Sequence, residues 1–225
     1  MIQVRALTKS ISTGTHVVDI LRGIDLDVPQ GQFVAVLGPS GSGKSTLLGL
    51  IAGLDSPSGG RVTVDGVDIT DLGEDEMAAV RSRKIGFVFQ AYHLIPTLTA
   101  EENVLLPIEL AGGPSANAVN ARERARELLN RVGLGSRASH YPAQMSGGEQ
   151  QRVAVARAFA LSPPILLADE PTGNLDSAAG ALVLDLLLSF HREEGATLVL
   201  VTHEASIAAS ADRRIFLRDG LIVDE

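Results

Sequence analysis

Residues 33–46 read FVAVLGPSGSGKST, from Phe33 to Thr46. Five apolar, β-prone residues in a row predict a strand buried on both faces. Residues 38–45 then match G-x-x-x-x-G-K-[ST], and Ser45–Ala52 carries the apolar spacing of a helix. Strand, glycine-rich loop and helix in that order make a phosphate cradle. Gly38, Gly41 and Gly43, with Pro39, Ser40 and Ser42 between them, let the chain wrap tightly so that its amide N–H groups form an anion nest. The following helix adds the positive end of its dipole. Lys44 is expected to reach the β- and γ-phosphates, Ser45 to ligate Mg²⁺, and Thr46 to add a phosphate contact. The loop alone predicts a nucleoside triphosphate and no more, because kinases, GTPases and ATPases share it.

Two other runs have the same buried-strand character, Ile165–Ala168 and Thr197–Val201. Helical patterns lie between, including Ala121–Val132 and Ala179–Phe190. Strands alternating with helices predict a largely parallel sheet. The first 70 residues read differently. Ile2–Leu7, Ile24–Val28 and Arg61–Val64 are short strands, and Asp65-Gly66 is a turn. From about Thr97 to Ser162 the chain is mostly helical with no buried-strand run, which reads as a subdomain inserted into an α/β core. Residues Ala111–Asn117 (AGGPSAN) read as a loop. Ile215–Leu217 and Leu221–Val223 flank Arg218-Asp219-Gly220 as a small hairpin.

With 225 residues the chain is one large domain or two small ones, and 45% hydrophobic content excludes disorder along its length. Nineteen Lys and Arg against 27 Asp and Glu give a formal charge of -8. Six Phe, two Tyr and no Trp leave few stacking platforms, so nucleic acid is excluded as a partner on both counts. The absence of cysteine excludes disulfides, thiolate metal sites and a cysteine nucleophile. No run reaches the ~18 apolar residues of a membrane span, and Met1–Ser10 lacks the apolar centre of a signal peptide. A cytoplasmic protein is expected, one that reaches a membrane only by docking onto another protein.

The strand Ile165–Ala168 ends in Asp169-Glu170. Asp169 is placed to hold Mg²⁺, and Glu170 to orient and deprotonate an attacking water. Adjacent carboxylates repel, and a bound cation makes the pair tolerable. Upstream, Met145-Ser146-Gly147-Gly148-Glu149-Gln150-Gln151-Arg152 precedes the helical run Val153–Phe159. Ser146-x-x-Glu149 is a capping box. Two glycines in a first turn are poor helix formers and make sense where the backbone must approach something closely.

This stretch resembles the signature of ABC-type ATPases, usually written LSGGQ. The family's other marks stand in order: Gln90 after the strand Ile85–Phe89, Glu170-Pro171-Thr172, Gly173-Asn174-Leu175-Asp176, and His203 after TLVLV. The resemblance covers nearly the whole chain. It implies a P-loop NTPase (RecA-like) α/β core with an antiparallel β subdomain and an inserted α-helical subdomain, the core at 1–95 and 163–225 and the helices at about 96–162. It also implies a head-to-tail homodimer holding two ATP. Each ATP would lie on one chain's phosphate loop and face the Ser146, Gly147 and Gly148 of the other. His203 would contact the γ-phosphate, Gln90 would sense Mg²⁺ and the attacking water, and Asp176 would link the two sites.

Three positions depart from the family pattern. Met145 replaces Leu at similar volume. Glu149 replaces Gln and adds a charge that Arg152, three residues on, is placed to offset. Lys9-Ser10-Ile11 stands where an aromatic normally covers the adenine, so Ile11 is expected to cover the base without a π-system. The run Phe87–Val104 and the DEPTGNLD of Asp169–Asp176 look like the lipoprotein-release, macrolide-exporter and FtsE group, and Leu7–Leu21 is most like the YbbA-type members. Such ATPases serve permeases with large extracytoplasmic domains, for export or for force transmission, or, as in FtsE, for periplasmic remodelling without transport. Tyr92–Thr97 is expected in the groove that receives the permease. Too few residues lie between Lys44 and Met145 for the long coiled coils of DNA-repair relatives. The ribosome-associated type usually carries two ATPase domains in one chain.

Overall fold

The computed structural model describes residues 1–12, 14, 16–112 and 118–224. Strand β1 (Ile2–Ser12) pairs antiparallel with β2 (Val17–Val28). After β3 (Phe33–Leu37) and α1 (Lys44–Ile51) come β4 (Gly59–Val64) and β5 (Val67–Asp68). These complete a four-stranded antiparallel sheet in the order β2-β1-β4-β5. Asp65 and Gly66, both at positive φ, form the turn between β4 and β5.

Helix α2 (Glu74–Lys84) leads into β6 (Ile85–Val88). A helical stretch follows: α3 (Ala100–Gly112), α4 (Ala118–Arg131), two single 3₁₀ turns and α5 (Gly147–Ala158). Of the loop expected at 111–117, Ala111 and Gly112 belong to α3, and 113–117 lie outside the described residues. The chain then alternates through β7 (Ile165–Asp169), α6 (Ser177–Glu194), β8 (Thr197–Val201) and the short α7 (Ala205–Ala208). It ends in the hairpin β9 (Arg213–Arg218) and β10 (Leu221–Asp224).

The second sheet has six strands in the order β10-β9-β3-β8-β7-β6. Every pairing in it is parallel except β9 with β10. Its apolar strands alternate between two cores. Phe33, Leu166, Leu198 and Leu200 face α3–α6, where Phe159 and Phe190 stack 4.1 Å apart. Val34, Val36, Ile165, Leu167, Val199 and Val201 face α1 and the antiparallel sheet. Continuous apolar runs are what burial on both faces demands. The consequence for function is geometric: β3, β8 and β7 lie side by side and parallel, so the segments leaving their C-terminal ends converge on one edge. No helix among the described residues is long and apolar enough to cross a membrane.

Candidate functional site

The loop after β3 depends on two glycines. A Cβ on Gly38, at φ +145°, would stand 2.0 Å from the Leu217 carbonyl oxygen. One on Gly43, at φ +103°, would stand 2.7 Å from Leu21 Cδ2. Only glycine fits either place. Gly43 is also the N-cap of α1 and offers no side chain to it, so the first amides of the helix stay open to an anion. Lys44 is buried, and its Nζ donates to the carbonyls of Gly38 and Pro39, each at 2.9 Å. The ammonium is thereby folded back over the loop it closes.

Ser45 Oγ donates to Asp169 Oδ1 at 3.0 Å, joining the start of α1 to the end of β7. Burial pushes the Asp169 carboxyl above its ordinary range. The Ser45 bond opposes this, the Glu170 charge adds to it, and Lys44 pulls against it. Glu170 follows at φ +42°, a left-handed conformation unusual for its residue type. Its N–H donates to the Val201 carbonyl at 3.0 Å. Its Oε2 lies 3.5 Å from Nδ1 of His203, which leaves the end of β8. Asp169, Glu170 and His203 thus meet Lys44 and Ser45 at one edge of the sheet.

Other candidates have partners that the sequence alone did not disclose. The Gln90 amide points to Asn174, 3.5 Å from Nε2 to Oδ1, and Asn174 Nδ2 returns a bond to the Gln90 carbonyl at 3.1 Å. Asp176 is the N-cap of α6, accepting from the Ala179 N–H at 2.9 Å. Thr172 Oγ1 donates to Glu204 Oε1 at 2.8 Å, tying the segment after Glu170 to the residue after His203.

Ser146 caps α5 in a complete capping box: its N–H donates to Glu149 Oε2 at 2.8 Å, and its Oγ accepts from the Glu149 N–H at 3.3 Å. That backbone bond is the largest cause holding the Glu149 carboxyl below its usual range. The offset expected from Arg152 falls chiefly to Arg137, whose Nε lies 3.5 Å from Glu149 Oε1. Arg152 is bonded to the Val132 carbonyl at 2.9 Å. The close approach that the glycines allow is internal to the chain. A Cβ on Gly147 would meet the Tyr92 hydroxyl at 2.6 Å, and one on Gly148 the Ala179 Cβ at 2.9 Å.

An ABC transporter family model matches residues 21–173. The chain belongs to that family. It is an ABC-type ATPase cassette, 49% identical over its full length to the ABC transporter ATP-binding protein YbbA of Escherichia coli K12, of which it covers 97%. It is 48% identical to the lipoprotein-releasing system ATP-binding protein LolD of Syntrophus aciditrophicus, with 99% of each chain covered. The macrolide export ATP-binding/permease protein MacB of Brucella melitensis is also 48% identical, but this chain spans only 34% of its length. The fold superposes with a TM-score of 0.94, at 44% identity, on a dimeric structure of the cassette MJ0796 bound to ADP and Pi, covering 100% of this chain and 97% of that one. The ABC cassette architecture is therefore established, with the parallel sheet and the antiparallel sheet expected from the sequence.

Proposed function

We propose that this chain is the ATP-hydrolysing subunit of a head-to-tail homodimer that drives a separate membrane permease from the cytoplasmic face. The observation that carries the reading is the meeting of Lys44, Ser45, Asp169, Glu170 and His203 at one sheet edge, while the signature is built elsewhere. The phosphate loop packs on Leu21 and Leu217; the signature packs on Tyr92, Leu175 and Ala179. On this reading residues 1–95 and 163–225 bind nucleotide, and about 96–162 carry the signature, Ser146, Gly147 and Gly148, to the partner's site. The dimer bound to ADP and Pi supports it.

Backbone N–H groups within residues 40–46 cradle the phosphates, and Lys44 exchanges its carbonyl partners for phosphate oxygens. Ser45 and Asp169 present a hydroxyl and a carboxylate oxygen in contact, a hard-donor pair that suits Mg²⁺. A cation there would offset the desolvation that raises Asp169 by stabilising its charged form. Phosphate oxygens and water would supply the remaining ligands. When bound, the ion neutralises charge on the phosphate oxygens. Glu170 takes the proton of the attacking water, and His203, beside it, reaches the γ-phosphate. Gln90, which here faces Asn174, would help hold the Mg²⁺ and the attacking water, and Asp176 would join the two sites.

The permease is proposed to dock in an apolar cleft of about 460 Å³ between α2, β6 and α3. Phe87, Phe89, Leu106 and the exposed Leu110 line it, which suits the apolar face of an amphipathic helix. Of Tyr92–Thr97 only His93 lines this cleft; Tyr92 turns to Gly147 instead. The names of LolD and MacB support lipoprotein-type or other exported cargo, moved or acted on outside the membrane.

Glu170→Gln keeps the shape of the carboxylate and removes the base. The variant is expected to bind ATP, to lose steady-state hydrolysis, and to elute as a dimer on size exclusion with ATP. Turnover near the wild-type rate would overturn the reading.

A further inference from the structure

Gln151 lies one turn behind the Ser146 cap, with none of its surface exposed. Its Nε2 donates to two backbone carbonyls, Phe89 at 3.0 Å and Pro171 at 2.8 Å. Phe89 immediately precedes Gln90, and Pro171 immediately follows Glu170. Only the NH₂ end of an amide can donate to both. The other end, Oε1, is buried with no hydrogen-bond partner. A buried amide costs free energy where it is not fully paired, and a hydrocarbon of the same volume would not carry that cost. The hydrogen bonding of this polar group therefore goes to two loops of the site.

The Glu170 backbone shows why such a tie is needed. Its positive φ costs about 1 kcal/mol or more and persists only where the surroundings over-determine it. The bonds from Glu170 N–H to Val201 of β8, from Gly173 N–H to the Glu170 carbonyl within the same turn, and from Gln151 of α5 to Pro171 enclose that residue.

We infer that Gln151 is a positioning residue for hydrolysis. It fixes Gln90 and Glu170 in one register and ties that register to the helix whose tip is the signature. It acts through those loops, with no bond to the phosphate loop. The inference deepens the composite-site reading proposed above and rests on it: when the tip of α5 engages the nucleotide of the partner, both catalytic loops of its own chain are set by the same helix.

The test uses the full chain with Gln151→Met, which keeps length and packing and removes the donor. ATP affinity, measured by titration with a fluorescent analogue, is expected to stay within about twofold, because the Lys44 loop is untouched. The kcat is expected to fall at least tenfold, since small misplacements of catalytic groups cost up to about a hundredfold. Gln151→Asn is one methylene too short to reach both carbonyls. It should show the same split, and it carries the test if the methionine variant does not fold. An unchanged kcat in either folded variant overturns the inference. So does a parallel loss of kcat, ATP affinity and Tm, which assigns Gln151 to the fold alone. The Glu170→Gln control separates the two levels. If it is inactive while the Gln151 variants behave as wild type, only the positioning role falls. If it turns over normally, the reading beneath falls as well.

Discussion

Ile11, near the end of β1, is 45% exposed and stands opposite Val18, which is also exposed. Two residues along β2 from Val18, the Ile20 carbonyl closes against Gly43 of the phosphate loop. An apolar pair at that point suits an adenine face, and no Phe, Tyr, Trp or His occurs from residue 1 to 15. Base stacking on an aromatic is worth roughly 1–3 kcal/mol against alanine. Isoleucine retains part of this, so Ile11→Tyr is expected to gain about 0.5–1.5 kcal/mol, a few-fold to tenfold in ATP affinity. Turnover at saturation should not rise, because the ring touches ground state and transition state alike. Nucleotide titration of both proteins checks this, with GTP alongside; the wild type should accept GTP nearly as well as ATP. Strong ATP selectivity in the wild type, or no gain with tyrosine, means that another residue covers the base. The residues of the phosphate loop and the Asp169-Glu170 pair were legible because each motif is local and its neighbours in sequence are its neighbours in space. The bonds of Gln90 to Asn174, of Thr172 to Glu204 and of Gln151 to two carbonyls join residues 20 to 84 positions apart. No spacing rule on a single sequence reports such contacts.

Among elements, the strands buried on both faces read correctly from their apolar runs: β3 and β8 match to the residue. Helix α2 carries no apolar periodicity to read, because EDEMAAVRSRK buries only Met77 and shows no apolar stripe. It is held by charge instead, with acids in its first turn and bases in its last, as the helix dipole favours. The outer halves of β1 and β2 are silent in the sequence for a related reason. They are largely exposed, and pairing with each other rather than burial makes them strands. Helix α5 was legible by its cap, and the cap yields a pH prediction. The Glu149 carboxyl titrates lower when folded than when unfolded, so it contributes stability above its unfolded value, about 4.3. That contribution is lost as pH falls through the depressed folded value. Glu149→Gln keeps an acceptor for the Ser146 N–H but removes the charge from the helix N-terminus and from Arg137. At pH 7 it should cost about 0.3–1 kcal/mol. Urea titrations should show that deficit shrinking as pH falls below the unfolded value towards the depressed folded one, through which the wild type loses the same charge. A deficit that persists at low pH would trace it to altered shape instead.

At the scale of the whole molecule, one chain carries two half-sites on different elements, and a homodimer of such chains makes two composite sites. Lys44→Ala disables the phosphate loop of its own chain. Ser146→Arg blocks the site to which its signature is presented, at a stability cost of about 1 kcal/mol for the lost cap, which melting of that variant alone will measure. Each variant by itself should be inactive, since both of its sites carry a lesion. In a heterodimer the two lesions fall together: the Lys44→Ala loop faces the Ser146→Arg signature. The other site then has an intact loop and an intact signature. An equimolar mixture that pairs at random is half heterodimer, each with one of two sites whole, so turnover should recover to about a quarter of wild type if sites act independently. If each site requires the other, turnover stays low, yet one ATP per heterodimer should still be occluded and the dimer retained on size exclusion. Pairing of loop and signature within a single chain gives a different result. Every chain then keeps its own lesion in its own site, and mixing recovers neither turnover nor occlusion. ATP binding at one per monomer, indifferent to dimer formation, would likewise rule out the head-to-tail arrangement.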